Sequence, residues 1–192
     1  MNMISRLIKP QNPKLTPLYV WGAWVAFNSA AALLAVALVM IVTLLPGINP
    51  DVAAGPLLVV AFVILLGMAQ GLILRQRSVG MARWMLIMSA SWTATYIVSL
   101  LLNLVLPESL LAEFSASSLT FFGTVSGIIQ WLYLRGSFRW AVVWVVAMTA
   151  GWTVLGLLTG PAFRSLWGFA LIGLIPSIFS GAALAWLWKR GR

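Results

Sequence analysis

The nine residues GIIQWLYLR (127–135) repeat a pattern that the chain has already used sixty residues earlier, in GMAQGLILR (67–75). The two segments are identical at five of nine positions without a gap, and the shared residues include the glycine, the glutamine and the closing arginine. Each segment ends an apolar run on a positive charge, which is typical of a helix that stops at a membrane surface. A pattern that recurs at a fixed interval predicts a fold made of repeated units.

The same interval of sixty residues aligns WMLIMSASWT (84–93) with WVVAMTAGWT (144–153). A third copy of the tryptophan segment is visible upstream, because Trp24 precedes Trp84 by sixty residues, and the last hairpin has Leu184 in the glutamine position. The sequence therefore predicts one membrane domain, 1–192, built from three tandem helical hairpins at approximately 15–77, 78–137 and 138–190.

The composition is that of an integral membrane protein. Of the 192 residues, 62% are hydrophobic and 8% are charged, whereas a soluble domain has roughly 45–50% apolar and about 25% charged residues. Spanning a hydrocarbon core of about 30 Å takes about 20 apolar helical residues, and six stretches meet this length. We expect an all-α fold with six transmembrane helices at approximately 18–45, 56–74, 84–106, 117–134, 140–159 and 167–188.

The charges predict the orientation. Eleven of the twelve Lys and Arg residues lie at the N-terminus or after an even-numbered span, and only Arg164 lies on the other side. Since cytoplasmic loops carry the excess of basic residues, we expect a six-pass protein of a bacterial cytoplasmic (inner) membrane with both termini cytoplasmic. Hairpins of one orientation are parallel repeats about a pseudo-threefold axis along the membrane normal. We expect Trp131, Trp140 and Trp144, beside the arginines, in the aromatic belt at that surface.

The absence of certain residue types excludes most catalytic and metal-binding sites. Histidine and cysteine are absent, which removes the commonest soft metal ligands and nucleophile–base pairs. The three acids, Asp51, Glu108 and Glu113, fall in predicted loops. We therefore predict no catalytic residues, no metal site and no enzyme activity, and the sequence leaves any cofactor unknown. Nucleic-acid binding is also not expected, because a basic soluble surface with readout elements is lacking.

A small set of residues at matching depth forms the candidate ligand site. Trp92 and Trp152 lie about 12 Å into their helices if Trp84 and Trp144 mark the membrane surface, and a tryptophan at that depth needs a partner for its indole N–H or a ligand. Core packing is the alternative for both. The candidate lining residues are Trp92, Trp152, Thr93, Thr153, Gln70, Gln130, Asn28 and Asn103.

Small residues four apart recur on the even-numbered helices. In lipid, such positions let helix backbones approach closely and gain packing energy. Two interpretations of these positions remain. They serve helix packing within the chain, or they contact a second subunit or a pigment. The positions are Gly67, Gly71, Gly123, Gly127, Ser177 and Gly181.

The segment Gly-x-x-Gln-Trp-Leu-x-Leu-Arg, with Gln130 and Trp131 at its centre, followed by a Gly-Trp or Ser-Trp pair in the next helix, resembles a set of uncharacterised multi-pass bacterial membrane proteins with recurrent hairpins of this kind. In the first copy Gly71, not tryptophan, follows Gln70. The resemblance implies a membrane-embedded helical fold and no particular activity.

Two function classes remain. The first is a non-enzymatic scaffold or accessory subunit of a larger membrane complex, with membrane lipids and other membrane subunits as partners and lipid, pigment or quinone as candidate ligands. The second is a transporter of a small solute or lipid, or a substrate-binding membrane subunit of the vitamin-importer type, with a pathway at the centre of the hairpins. Co-purification with a large assembly would favour the first class, and binding of a soluble small molecule by the purified protein would favour the second.

Overall fold

The computed structural model describes residues 16–47, 49–77, 79–159 and 166–190. Within these ranges the side chains of 50–56, 100, 103, 108–117, 159 and 166–170 lie outside the description. The described chain is all-helical and has no strand. Its six α-helices are α1 (Pro17–Thr43), α2 (Pro50–Leu74), α3 (Met81–Val105), α4 (Glu108–Leu134), α5 (Val142–Thr159) and α6 (Leu166–Arg190), and a 3₁₀ turn at Arg75–Arg77 follows α2.

Three described helical stretches are long and apolar enough to cross a membrane. They are Pro17–Thr43, Leu57–Arg77 and Leu171–Arg190. The fold is therefore that of a membrane protein by the length and composition of these helices. Two shorter apolar stretches follow the same pattern, at Ser118–Leu134 and Val142–Leu158.

Local sequence explains where α1 begins. Thr16 adopts an extended backbone, and its side-chain oxygen accepts a hydrogen bond of 3.2 Å from the backbone N–H of Tyr19. Pro17 occupies the first helical position, where the missing N–H costs nothing because that group has no partner inside a helix. Together they cap the first turn.

The prediction that the three acids lie in loops is wrong. Glu108 is the first residue of α4, Glu113 lies one and a half turns further on, and Asp51 is the second residue of α2. Both helices start before the apolar stretch that hydropathy detects, since helix formation does not require every residue to be apolar. Acids in a first turn are also favourable next to the positive end of the helix dipole.

The six helices form a closed ring in chain order. Each helix packs mainly against its neighbours in sequence, and α6 packs against α1 to close the ring. The contact between α1 and α6 is the most extensive, and the two contacts made by α3 are the least extensive among the helix neighbours. We call the contacts α2/α3, α4/α5 and α6/α1 the three junctions, since each joins an even-numbered helix to the odd-numbered helix that follows it around the ring.

Candidate functional site

Three tryptophans meet inside the ring and form its centre. Trp24 on α1, Trp84 on α3 and Trp144 on α5 are each 0% exposed. The ring of Trp144 contacts Trp24 at 5.5 Å and Trp84 at 6.2 Å, both edge to face, which is the favourable geometry for aromatic pairs. We call these residues the indole triad. Because α1, α3 and α5 are not neighbours in the ring, their side chains can meet only across its interior.

The placement of Trp144 in the aromatic belt is wrong. Its complete burial and its indole contacts put it in the interior of the ring and away from any lipid-facing surface. Trp84, which served as the marker of the same surface, is buried in the same way. Trp140 is 46% exposed and Trp131 is half-buried. Both lie beside arginine side chains, as a residue of the belt does.

Two glutamines hold two members of the triad. The indole N–H of Trp84 donates to Oε1 of Gln70 at 3.1 Å, across the α2/α3 junction. The indole N–H of Trp144 donates to Oε1 of Gln130 at 2.8 Å, across the α4/α5 junction. In both cases the tryptophan follows its glutamine by fourteen residues. Each bond fixes an even-numbered helix to its odd-numbered neighbour at the same level of the ring.

The third junction uses a different acceptor. The position that corresponds to the two glutamines is Leu184, which cannot accept a hydrogen bond and is fully buried. The indole N–H of Trp24 instead donates to the hydroxyl of Ser180 at 3.0 Å. Ser180 in turn donates to the backbone carbonyl of Pro176 at 2.9 Å. The triad therefore has all three indole N–H groups satisfied, as buried polar groups require.

The amide nitrogens of the glutamines reach the preceding odd-numbered helix. Nε2 of Gln70 donates to Oδ1 of Asn28 at 2.8 Å, and Nδ2 of Asn28 donates to the backbone carbonyl of Trp24 at 2.6 Å. Nε2 of Gln130 approaches the sulfur of Met88 at 3.2 Å, and Met88 lies sixty residues after Asn28. Gln70, Gln130 and Asn28, all candidate lining residues, thus bond to other side chains of the ring interior.

A second set of aromatic rings lies next to the triad along the helices. Trp92 packs against Phe62 at 5.1 Å, Phe122 at 4.6 Å and Trp152 at 5.9 Å, and Phe122 contacts Trp152 at 4.5 Å. Trp152 is 4% exposed, and its indole N–H has no hydrogen-bond partner among the described residues. The structure therefore brings Trp92 and Trp152 together as a packed aromatic cluster.

The two candidate threonines have different surroundings. The hydroxyl oxygen of Thr153 lies 2.9 Å from that of Thr120 and 2.8 Å from the backbone carbonyl of Thr149, the two acceptors between which its one proton is shared. Thr124 and Thr149 form a second hydroxyl pair at 3.0 Å. These pairs fasten α4 to α5. Thr93 is exposed and has no such pair among the described residues. The side chain of Asn103 lies outside the described residues.

An apolar groove opens at the α2/α3 junction. Its volume is about 340 Å³, within the usual range for a small-molecule site. Of the candidate residues only Trp92 and Thr93 line it. The lining residues are Val59, Val60, Val63, Ile64, Ser89, Trp92, Thr93 and Tyr96.

Comparison of the chain with family models, with curated proteins and with solved structures finds no match in any of the three.

Five of the six predicted small residues lie at the three junctions. A Cβ atom on Gly67 or Gly71 would come within 3.5 Å of the backbone of α3, and one on Gly127 within 3.2 Å of the backbone of α5. On Gly123 it would come within 2.7 Å of a backbone carbonyl of α5, and on Gly181 within 2.9 Å of the Trp24 ring. Ser177 is buried on α6. These contacts all lie within one chain.

Two further close approaches were missed in the sequence because they do not follow the spacing of four. A Cβ atom on Gly151 would lie 2.8 Å from the backbone of Pro176, which brings α5 against the proline of α6. A Cβ atom on Gly173 would overlap the side chain of Ala32 on α1. The triad was missed because tryptophan beside arginine is also typical of the membrane surface. The interval of fourteen residues between glutamine and tryptophan, which occurs twice, was a signal for it.

Most described basic residues at one end of the ring lie over a tryptophan ring. The guanidinium carbons of Arg77, Arg135, Arg139 and Arg190 lie 4.6, 5.8, 5.6 and 4.8 Å from the nearest tryptophan centroid. Arg77 also donates to the backbone carbonyl of Trp188 at 2.7 Å. Such pairs hold a cation at a boundary where one side is apolar and the other is wet.

Proposed function

We propose that this chain is a non-enzymatic integral membrane protein that acts as a scaffold or accessory subunit of a larger membrane complex. The observation that supports this proposal best is the aromatic packing inside the ring among the described residues. The indole triad joins α1, α3 and α5, which are not adjacent in the ring, and in the aromatic cluster Trp92 on α3 contacts Trp152 on α5. A scaffold gains stability from such an interior, whereas a transport pathway needs space there.

The hydrogen bonds of the interior also favour a scaffold. Polar side chains at a transport site bind the substrate, so some of them have free donors or acceptors when the site is empty. Here only the Trp152 indole N–H and the Ser29 hydroxyl are buried without a partner among the described residues. Gln70, Gln130 and Asn28 are bonded across helices. Opening the centre for transport would break these bonds inside the membrane, where water does not replace them. We therefore place the alternative, a small-solute or lipid transporter, second.

The outer surface of the ring is where partners would bind. In the membrane-spanning window of α1 only 28% of the residues are buried, against 56% and 61% in those of α2 and α6. Leu34, Leu38 and Ile41 on α1 are all about half exposed or more, at 58%, 48% and 62%. An apolar face of this size is covered by lipid or by another membrane subunit.

The architecture that goes with this proposal has six membrane spans in three parallel hairpins around a pseudo-threefold axis along the membrane normal. The repeated glutamine–tryptophan bond at two junctions supports it. The bacterial inner membrane, with both termini in the cytoplasm, is the location that the basic residues favour.

The topology makes the first testable prediction. The chain has no cysteine, so a single introduced cysteine is the only thiol that a reagent can label. We expect Leu45→Cys and Pro107→Cys to react with a membrane-impermeant maleimide on intact cells. Gln76→Cys and Gly136→Cys should react only after the membrane is opened. All four positions are exposed, so a failure to react reports the side of the membrane. Labelling of Gln76→Cys on intact cells would overturn the topology.

The functional proposal is tested by purification from native membranes in a mild detergent, followed by mass spectrometry of the proteins that migrate with the chain. We expect a defined complex larger than the chain itself. A variant with alanine at 34, 38 and 41 on the outer face of α1 should lose the partner and keep its helicity. The matched control has alanine at the exposed positions 142, 146 and 157 of α5 and should retain it.

A different result would overturn the scaffold proposal. If the chain migrates alone and a soluble small molecule changes its tryptophan fluorescence, the second class applies. If the chain migrates alone and no ligand binds, neither a complex nor a transport site is present.

A further inference from the structure

Three hydroxyl side chains along α3 make no hydrogen bond with the described residues. Ser89, Thr93 and Tyr96 all line the α2/α3 groove, and all three are exposed. On the buried side of the same helix, Ser91 and Thr95 donate to backbone carbonyls of α3 at 2.6 and 2.7 Å. The exposed side of α3 therefore carries a line of unpaired polar groups within a helix of 25 residues, long enough to cross a membrane.

Tyr96 is the hydroxyl that lipid satisfies least. Its side chain is 70% exposed, and it lies about 13 Å before the end of α3 at Val105. Tyrosine in membrane helices is usual at the headgroups, where its hydroxyl is hydrated. In the six-span architecture Tyr96 is surrounded by acyl chains, which offer no hydrogen-bond partner. A protein surface with its own donors and acceptors is therefore the better cover for this side of α3.

The α4/α5 junction shows how a second helix satisfies the same positions. Thr149 and Thr153 are the counterparts of Ser89 and Thr93 sixty residues later, and both form hydroxyl pairs with threonines of α4. At the α2/α3 junction the side chains that α2 contributes to the groove are all valine or isoleucine. The hydroxyls of α3 thus have no helix within the chain to pair with.

The α2/α3 face carries both a projection and a hollow. Tyr96 projects from α3, whereas its counterpart at the α4/α5 junction is Gly156. A helical side chain lies over the turn before its own Cα, so the Tyr96 ring reaches the level of Trp92 and Thr93, which line the groove. An aromatic projection beside an apolar groove at the same depth makes the face complementary to itself.

Symmetry favours a second copy as the occupant. Copies of one membrane protein insert with the same orientation, so a twofold axis between two of them lies along the membrane normal. Each residue then meets residues of the other copy at its own depth. Because a hydroxyl is both donor and acceptor, a line of hydroxyls pairs with an identical line. Ser89, Ala90 and Thr93 are small and exposed, which lets two α3 helices approach closely.

We propose that the α2/α3 face binds a second copy of this chain, with Tyr96 of each copy in the α2/α3 groove of the other and the Thr93 hydroxyls paired between them. This inference rests on the six-span architecture of the proposed function, and it does not depend on a larger complex. The contact uses α2 and α3, so it is separate from the partner surface proposed on α1.

The first test is disulfide cross-linking in native membranes. The chain has no cysteine, so Thr93→Cys gives each copy a single thiol at the proposed contact. With a mild oxidant we expect Thr93→Cys to form a species of twice the chain's mass, which a reductant converts back to the monomer. The matched control is Leu33→Cys. Leu33 is the counterpart of Thr93 on α1 and is 54% exposed, and its variant should stay a monomer.

The second measurement is the monomer–dimer equilibrium of the purified chain in one detergent. Tyr96→Ala removes two rings at once from a symmetric contact, so we expect the dissociation constant to rise at least about tenfold. The control Leu157→Ala removes an apolar side chain of α5 that is 81% exposed and should dimerise like the unchanged chain. Equal helicity of the two variants verifies that both fold.

Three results would contradict the second copy. They are equal cross-linking of Thr93→Cys and Leu33→Cys, a dimer that Tyr96→Ala does not weaken, and a chain that stays monomeric in both measurements. A cross-link from Thr93→Cys to a protein of a different mass would assign the face to another subunit. Because the equilibrium is measured on the isolated chain, the absence of a larger complex would not change its result.

Discussion

Trp144→Ala is expected to lower the free energy of unfolding by about 3–5 kcal/mol, the usual cost of truncating a buried large aromatic side chain. The change removes the ring that contacts both other members of the triad. It also leaves Oε1 of Gln130 without its donor, which adds the cost of an unsatisfied buried acceptor. Loss of helicity against increasing denaturant, in one detergent, measures the effect.

Trp140→Ala is the control for this prediction. It removes a tryptophan side chain four residues away, but Trp140 is 46% exposed and its ring contacts the Arg139 guanidinium. We expect its effect to be within about 1 kcal/mol, since exposed cation–π contacts contribute about 0.5–1 kcal/mol. Equal losses for the two variants would mean that Trp144 is not at the centre of the fold.

Gly173→Ala is expected to destabilise the contact between α6 and α1 by about 1–3 kcal/mol, in the range of overpacked cores. The added methyl would overlap the side chain of Ala32 and lie 2.8 Å from the backbone carbonyl of Asn28. Backbone atoms cannot rotate away as a side chain can, so the two helices must separate. The same unfolding measurement applies.

Gly22→Ala is the control for this prediction. It makes the same substitution inside a helix, but nothing lies within 4 Å of the added Cβ. Its expected result is no loss of stability, since alanine forms helices better than glycine. If Gly22→Ala is as harmful as Gly173→Ala, the cause is a property of glycine in these helices and not the close approach of α6 to α1.

Hydropathy was sufficient to predict the number and order of the helices. All six predicted stretches coincide with helices, and 140–159 differs from Val142–Thr159 by two residues at one end. The largest differences are at the starts of α2 and α4, which begin at Pro50 and Glu108 against predicted starts at 56 and 117. These first turns are less apolar. Hydropathy misses them because it measures the preference of a side chain for water or lipid and not the conformation of the backbone.

The candidate site was harder to predict because tryptophan beside arginine has two interpretations. Trp84 and Trp144 lie near basic residues in the sequence, which is also the pattern of the membrane surface. Only the partner of each indole distinguishes the two cases, and that partner lies on another helix. The groove was unpredictable for a related reason. Trp92 and Trp152 occupy corresponding positions in the sequence, and their surroundings differ because of Val63 and Gly123 on the neighbouring helices.

The closure of the ring has a consequence for biosynthesis. The Trp24 indole bonds to Ser180, 156 residues later in the chain, so α1 must wait for α6. Until α6 leaves the ribosome, the face of α1 that it covers has no partner within the chain, and this is the longest delay that any junction imposes. Contacts between distant parts of a chain form slowly. A chain that ends before α6 would therefore leave the Trp24 indole without its Ser180 acceptor and the ring open.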